Sequence, residues 1–206
     1  MVTHIIFDLG NVLIHIHPEM AIAGFQNTCG YTTEQIKKFY LSDLHLAFME
    51  GACSGSELYL KMVKNYPCTL NESEFREIWN QVIGKPKEGI KELINDLKDS
   101  YTLAICSNTD PWHWQKVYEN FPFIREFKYY FLSFEMKLNK PNPVIFQKIL
   151  DHMGIQGDQC IFIDDIAENI EAARLHGING ITASHPLQMR EELTQRKIFD
   201  FMRRQS

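Results

Sequence analysis

Apolar positions fall into two kinds of pattern along this chain. Short unbroken runs bounded by turn residues read as buried strands. They are Ile5-Ile6-Phe7, Tyr101 to Cys106, Tyr129 to Leu132 and Cys160 to Ile163, and Asn179 to Thr182 reads as a last strand. Between them lie stripes at helical spacing: Ile90, Leu93, Ile94 and Leu97; then Ile145, Phe146, Ile149, Leu150 and Met153; then Ile166 to Leu175, which Gly177 stops. Strands alternating with helices predict an α/β fold with a Rossmann-like parallel sheet and right-handed crossovers.

The stretch from Leu13 to Lys87 breaks that rhythm. It holds no convincing strand, and its apolar positions group helically: Ile36, Phe39 and Tyr40; Leu58, Tyr59, Met62, Val63 and Tyr66; Phe75, Ile78, Trp79, Val82 and Ile83. Thr32 with Gln35, and Ser54 with Glu57, have capping-box spacing. A crossover helix needs only a dozen or so residues, so this region is expected to be a small all-helical insert after strand one. The expected division is a core of residues 1–14 and 88–206 and an insert of residues 15–87, with Pro86 to Gly89 as the hinge out of it.

Composition narrows the function classes. Twenty-one basic and 26 acidic residues give a net charge of −5, which argues against bulk nucleic-acid affinity. Arg190, Arg196, Lys197, Arg203 and Arg204 are basic but mixed with acidic residues, as on a solvated helix face and frayed tail. The five cysteines form no CxxC pair, and Cys106 and Cys160 sit in apolar runs. This fits a reducing compartment and argues against a zinc site. No stretch reaches membrane-spanning length. A cytoplasmic protein, monomer or homodimer, without membrane or nucleic-acid partners, is expected.

The candidate chemistry lies where strands end. Asp8, Ser107 and Asp164-Asp165 each follow a strand directly, so a parallel sheet would bring them to one edge, where ligands of open α/β sheets bind. Lys140, in a loop before a helix, can join them. Asp8 and Asp165 would repel unless a cation sat between them, and a hard divalent ion with oxygen ligands, most simply Mg²⁺, would settle them. The Ser107 hydroxyl, the amides around Asn108 and the Lys140 ammonium would face an anion from the other side. That set makes a phosphate cradle, and a carboxylate can serve as covalent nucleophile.

Four segments resemble the four motifs of the haloacid dehalogenase (HAD) superfamily: Phe7-Asp8-Leu9-Gly10-Asn11-Val12-Leu13, Ser107-Asn108-Thr109, Lys140-Pro141, and Phe162-Ile163-Asp164-Asp165 with Asn169. They come in the family's order, and a helical insert after the first resembles its C1-type cap. The flavour is similar to sugar-phosphate phosphatases and epoxide-hydrolase N-domain phosphatases. The resemblance implies Asp8 as nucleophile and metal ligand, and Gly10 as the donor of a backbone carbonyl to the metal. It implies Ser107 and Asn108 as phosphate holders and Lys140 as the neutralising cation, with Lys137 a weaker candidate lacking the following Pro. Asp165 would be a direct Mg²⁺ ligand, with Asp164 close to the metal or orienting Lys140, and Asn169 would support both.

One departure matters. The family's phosphatases usually carry a second Asp, which protonates the leaving alcohol, where this chain has Gly10. General acid catalysis is worth roughly 10²–10⁴-fold. His15 and His17, alternating with Ile14 and Ile16, are the candidate acids near in sequence, although two solvent-facing histidines are the blander reading. An acidic leaving group, as in a sugar 1-phosphate, would need less help. The expected function is a Mg²⁺-dependent phosphatase of a small phosphorylated metabolite, working through an aspartyl-phosphate. The alternatives are a haloacid dehalogenase, which has no use for the Asp164-Asp165 pair, and a non-catalytic relative, which Gly10 alone favours. A belt of Trp112, His113, Trp114, Tyr118, Phe121 and Phe123 follows the second motif. Core or subunit contact explains it better than substrate contact.

Overall fold

The first apolar run forms β1 (His4–Phe7) in the structure, a computed structural model that describes residues 1–199. The chain then turns through Asn11, whose φ of 55° is left-handed, a conformation Asn adopts more readily than most residues, and enters β2 (Ile14–Ile16). Five helices follow: α1 (Pro18–Cys29), α2 (Thr33–Tyr40), α3 (Asp43–Met49), α4 (Gly55–Asn65) and α5 (Glu72–Trp79). A 3₁₀ turn over Asn80–Val82 then leads to β3 (Ile83–Pro86), which pairs antiparallel with β2. The expectation of no strand between Leu13 and Lys87 is therefore corrected. Two short strands, remote in sequence, carry the chain out of the sheet and back, and three- and four-residue elements stabilised only by each other leave no periodic signature.

The rest of the chain alternates. It runs α6 (Ile90–Leu97), β4 (Thr102–Ser107), α7 (Pro111–Asn120), β5 (Tyr129–Leu132), α8 (Ser133–Met136), α9 (Val144–Met153), β6 (Cys160–Asp164), α10 (Ala167–Arg174), β7 (Asn179–Thr182) and α11 (Pro186–Gln195). β5-β4-β1-β6-β7 form one parallel sheet. β1 is central, with His4–Phe7 in register against Thr102–Ile105 on one side and Cys160–Ile163 on the other. The carboxyl ends of β4, β1 and β6 therefore lie side by side. Strand periodicity sorts the core: Ile5, Phe7, Leu103, Ile105, Ile161 and Ile163 pack on one face, and Ile6, Ala104, Cys106 and Phe162 on the other.

The helices between β2 and β3 have an apolar cluster of their own, centred on Phe25, Phe48, Phe75 and Trp79. It borrows one residue from α7. Trp112 stands edge-on to Phe48 at 5.3 Å and near Phe75 at 6.3 Å. Gly55, the first residue of α4, makes room for it, since a Cβ there would lie 2.3 Å from the indole. Polar fastenings surround this joint. Lys116 Nζ donates to Asn80 O at 2.6 Å, and Arg76 donates to Gln115 Oε1 at 2.7 Å. All five cysteines are free thiols. Arg190 and Arg196 make ion pairs with Asp96 and Glu192, whereas Arg203 and Arg204 lie outside the described residues. Among the described residues no helix is long and apolar enough to cross a membrane.

Candidate active site

Three strand ends and one loop converge. Asp8 follows β1, its amide bonded to Ile163 O at 2.8 Å. Ser107 closes β4, Asp164 closes β6, and Asp165 comes next. Lys140 reaches in from the loop before α9, and its Nζ donates to Asp8 Oδ1 and Asp164 Oδ2, both at 2.7 Å. Asn108 holds that loop in place through two reciprocal bonds of 2.8 Å: its Nδ2 donates to Lys140 O, and Lys140 N donates to its Oδ1. The Asn108 side chain is thus committed to the lysine backbone. Its contribution to an anion would come from the main-chain amide.

Asp164 is wholly enclosed. Besides Lys140 it accepts from Ile166 N at 2.8 Å and from Asn169 Nδ2 at 3.0 and 3.1 Å. Four donor contacts fill a carboxylate, so Asp164 is placed to orient Lys140, with Asn169 behind it. Asp165 is only partly buried. Asp8, Asp164 and Asp165 each offer an oxygen within 4.8 Å of the others.

The electrostatics of this cluster are unbalanced. The Asp8 carboxyl stands raised to about 6: burial pushes it up, Lys140 pulls against that, and Asp164 adds to the rise. Asp165 is also raised, by burial and then by Asp164. Burial alone would lower Lys140, but the surrounding Asp8, Cys106 and Asp164 reverse this and hold it firmly as an ammonium. Three carboxylates share one ammonium, and their donor atoms are hard oxygens. The residues present therefore fit a divalent cation of the Mg²⁺ class.

A cavity of about 250 Å³ opens over these groups, lined also by Gly10, Ile16, Thr109 and His113. Ile16 fills the space above Gly10, where a Cβ would meet its Cγ1 at 3.1 Å. His15 and His17 do not line the cavity. Their rings stack on each other at 5.9 Å, and His17 Nδ1 pairs with Glu19 at 3.0 Å.

The histidine in the wall is His113, which sequence reading absorbed into the aromatic belt. Its Nδ1 lies 2.8 Å from Asp110 Oδ2, and its Nε2 lies 3.0 Å from Trp79 O. Both neighbours are acceptors, so both nitrogens must carry protons and the ring is an imidazolium. Burial works against that charge, but Asp110 raises the His113 pKa above its usual 6.5. Asp110, fully buried, also accepts from Trp79 Nε1 at 3.0 Å and from the amides of Trp112 and His113 at 2.9 Å. A residue hint existed: Asp110-Pro111 is a helix N-cap signal, and it sets His113 in the first turn of α7, close behind Ser107-Asn108.

Comparison with known proteins bears on the family of the chain. Residues 2–177 match the family model of haloacid dehalogenase-like hydrolases. The chain is 22% identical over 201 residues to a D-ribitol-5-phosphate phosphatase of Bacteroides thetaiotaomicron, covering 94% of this chain and 98% of that one. It is similar to the crystal structure of a HAD-family enzyme of Bacteroides thetaiotaomicron in complex with magnesium and inorganic phosphate. That likeness has a TM-score of 0.82 and 26% identity, over 88% of this chain and 94% of the other. An L-2-haloacid dehalogenase of Xanthobacter autotrophicus shares the fold at a TM-score of 0.62 and 15% identity, over 87% of this chain and 76% of its own. With its motifs in order around one sheet edge and the family model spanning most of its length, the chain belongs to the haloacid dehalogenase-like hydrolases.

Proposed function

We propose that this protein is a Mg²⁺-dependent phosphatase of a small phosphorylated metabolite, with a sugar or polyol phosphate favoured. The observation that carries the reading is the Lys140 ammonium bridging Asp8 and Asp164 at 2.7 Å beside a third carboxylate, Asp165. A phosphoryl group needs neutralisation and alignment above all, and this cluster supplies both. The phosphatase relative and the magnesium and phosphate bound by a similar HAD-family enzyme support it.

In this reading the free carboxylate oxygen of Asp8 attacks phosphorus, the bond to the leaving oxygen breaks, and water later hydrolyses the aspartyl-phosphate. Lys140 favours the ionised form of Asp8, which burial disfavours. Asp164 and Asn169 keep Lys140 aimed. Ser107 Oγ and the Asn108 amide take phosphoryl oxygens. Asp8, Asp165 and the Gly10 carbonyl would hold Mg²⁺, with Asp164 beside them, and the ion would supply charge neutralisation for the phosphoryl oxygens. The helices between β2 and β3, residues 15–87 of the expected division, serve as the cap.

Gly10 offers no proton to the leaving oxygen. A sugar 1-phosphate, whose leaving oxygen is acidic, would manage without one. The phosphatase relative, however, acts on the ester of a primary alcohol, so a proton source is worth naming. His113 fills that role better than His15 or His17, because it lines the cavity and is charged; its Nε2–H must turn from Trp79 O to deliver the proton. A dehalogenase reading leaves Asp165 without a purpose, and a non-catalytic reading leaves the whole cluster without one.

The test is hydrolysis of p-nitrophenyl phosphate and a panel of sugar and polyol phosphates with Mg²⁺ and with chelator. Turnover should need the metal, and Asp8→Asn should abolish it with the fold intact. Full activity of Asp8→Asn would remove Asp8 from the chemistry and sink the reading.

A further inference from the structure

Among the described residues, three buried side-chain polar atoms have no hydrogen-bond partner: Tyr40 Oη, Asn139 Oδ1 and Asn80 Oδ1. Leaving such an atom unpaired is costly, so each calls for an explanation. Two of the three belong to residues lining a single cavity of about 370 Å³. That cavity lies between the α2–α3 corner and the loop carrying Lys140, and it shares Asn108 with the cavity over Asp8.

The two groups are held rigidly and complement each other. The Tyr40 ring stacks on Trp79 at 5.2 Å and meets His45 edge-on at 5.1 Å. Burial, then the nearby Asp110, raises the phenol pKa, so Oη keeps its proton and is a standing donor. Asn139 Nδ2 donates to Glu50 Oε1 at 2.9 Å. That bond fixes the amide orientation, because a flip would set oxygen against carboxylate, and it leaves Oδ1 as an acceptor. His45 Nδ1 faces Tyr40 O at 2.8 Å and so carries the ring proton, which makes Nε2 a second acceptor. One donor and two acceptors, carried by residues that line a pocket beside a phosphate cradle, match vicinal hydroxyl groups, each of which both donates and accepts.

We propose that Tyr40 and Asn139 form the hydroxyl-recognising subsite for the leaving group, so that the substrate is the phosphate ester of a polyhydroxylated chain rather than of an aryl or simple alkyl alcohol. This rests on the phosphatase reading above and names the substrate class for that same site. Neither residue touches the phosphoryl group. Their effect is on affinity for the hydroxylated part and on its alignment.

The experiment compares kcat/KM for a pentitol 5-phosphate with that for n-pentyl phosphate, which has the same carbon count and no free hydroxyls. The wild-type protein should prefer the pentitol ester. Tyr40→Phe, a near-isosteric change, and Asn139→Ala should each shrink that preference about 3- to 10-fold, the worth of a single hydrogen bond. The loss should fall mainly in KM and should be larger for the pentitol ester than for p-nitrophenyl phosphate. A wild-type ratio near one, or a ratio unmoved by both variants, would overturn the subsite while leaving the phosphatase reading standing. Absence of turnover of every ester would instead overturn the phosphatase reading. Calorimetric binding of the two esters to the wild-type and Tyr40→Phe proteins would then decide the subsite by the same ratio.

Discussion

His113 shows how one side chain can serve two elements. Its imidazolium joins Asp110, the N-cap of α7, to the last carbonyl of α5. A cation at a helix C-terminus also complements the helix dipole. Because its folded pKa is raised above 6.5, the stability it adds is fully present below that value and fades as pH climbs through the raised one. Asp110 is depressed below its usual 3.8, so its share is present above that value and fades as pH falls through the lowered one. The pair is therefore worth most between about pH 4 and 6.5. His113→Gln should cost about 3 kcal/mol near pH 5.5, with a smaller gap from wild type at pH 9, as read by urea denaturation at both pH values. An equal gap at both would remove the charge from the argument. Asp8, Ser107, Lys140 and Asp165 were legible as a site because each stands at a strand end or before a helix, where topology alone forces convergence. His113 was not. Nothing local marks a histidine amid tryptophans as charged until the acceptors on both sides of it are known.

At the level of elements, sequence patterns succeeded where local forces suffice. The capping boxes at Thr32–Gln35 and Ser54–Glu57 both form, and another, Asn71–Glu74, went unread because the capping-box pattern is written on Ser or Thr, although Asn caps as well as Ser. The strand Asn179–Thr182 was read at its observed bounds. Patterns failed where partners lie far away. β2 and β3 exist through each other. α1 buries only Ala21 and Phe25 and so shows no clear stripe, and the Phe75–Ile83 stripe ran through a 3₁₀ turn into a strand. The contact between α4 and α7 is equally non-local and makes a sharp prediction. Gly55→Ala would set a methyl 2.3 Å from the Trp112 indole, and Trp112 is hemmed in by Phe48 and Phe75. Overpacking of this kind costs about 1–3 kcal/mol, although Ala is the better helix former. A lowered Tm for Gly55→Ala would confirm the close packing, and a raised Tm would show that the indole moves aside freely.

For the molecule as a whole, the site is held against its own electrostatics. Folding gathers Asp8, Asp164 and Asp165 around one lysine, and the raised carboxyls of Asp8 and Asp165 measure the strain. A ligand that binds only the folded state stabilises it. Millimolar Mg²⁺ at neutral pH should therefore raise Tm by several degrees, and the rise should shrink in Asp165→Asn. Without metal, Asp165→Asn should match or exceed wild type in Tm, since it deletes a repelled charge. Differential scanning calorimetry with Mg²⁺ and with chelator reads all four states. A Tm indifferent to Mg²⁺ would argue against a cation in this cluster.

The ribbon of β2 and β3 carries a last consequence. Lys87 N donates to Leu13 O at 2.9 Å, and His17 N to Val82 O at 2.8 Å, so the chain departs from the sheet and comes back to it at one doorway. The parallel strands owe nothing of their register to what lies beyond that doorway. Lineages could lengthen, shorten or exchange the intervening helices, and with them the menu of molecules admitted, while the ancient chemistry at the strand ends passed down unaltered. Trp112 and His113 would be the seam to mend, because both reach from α7 into the exchangeable part.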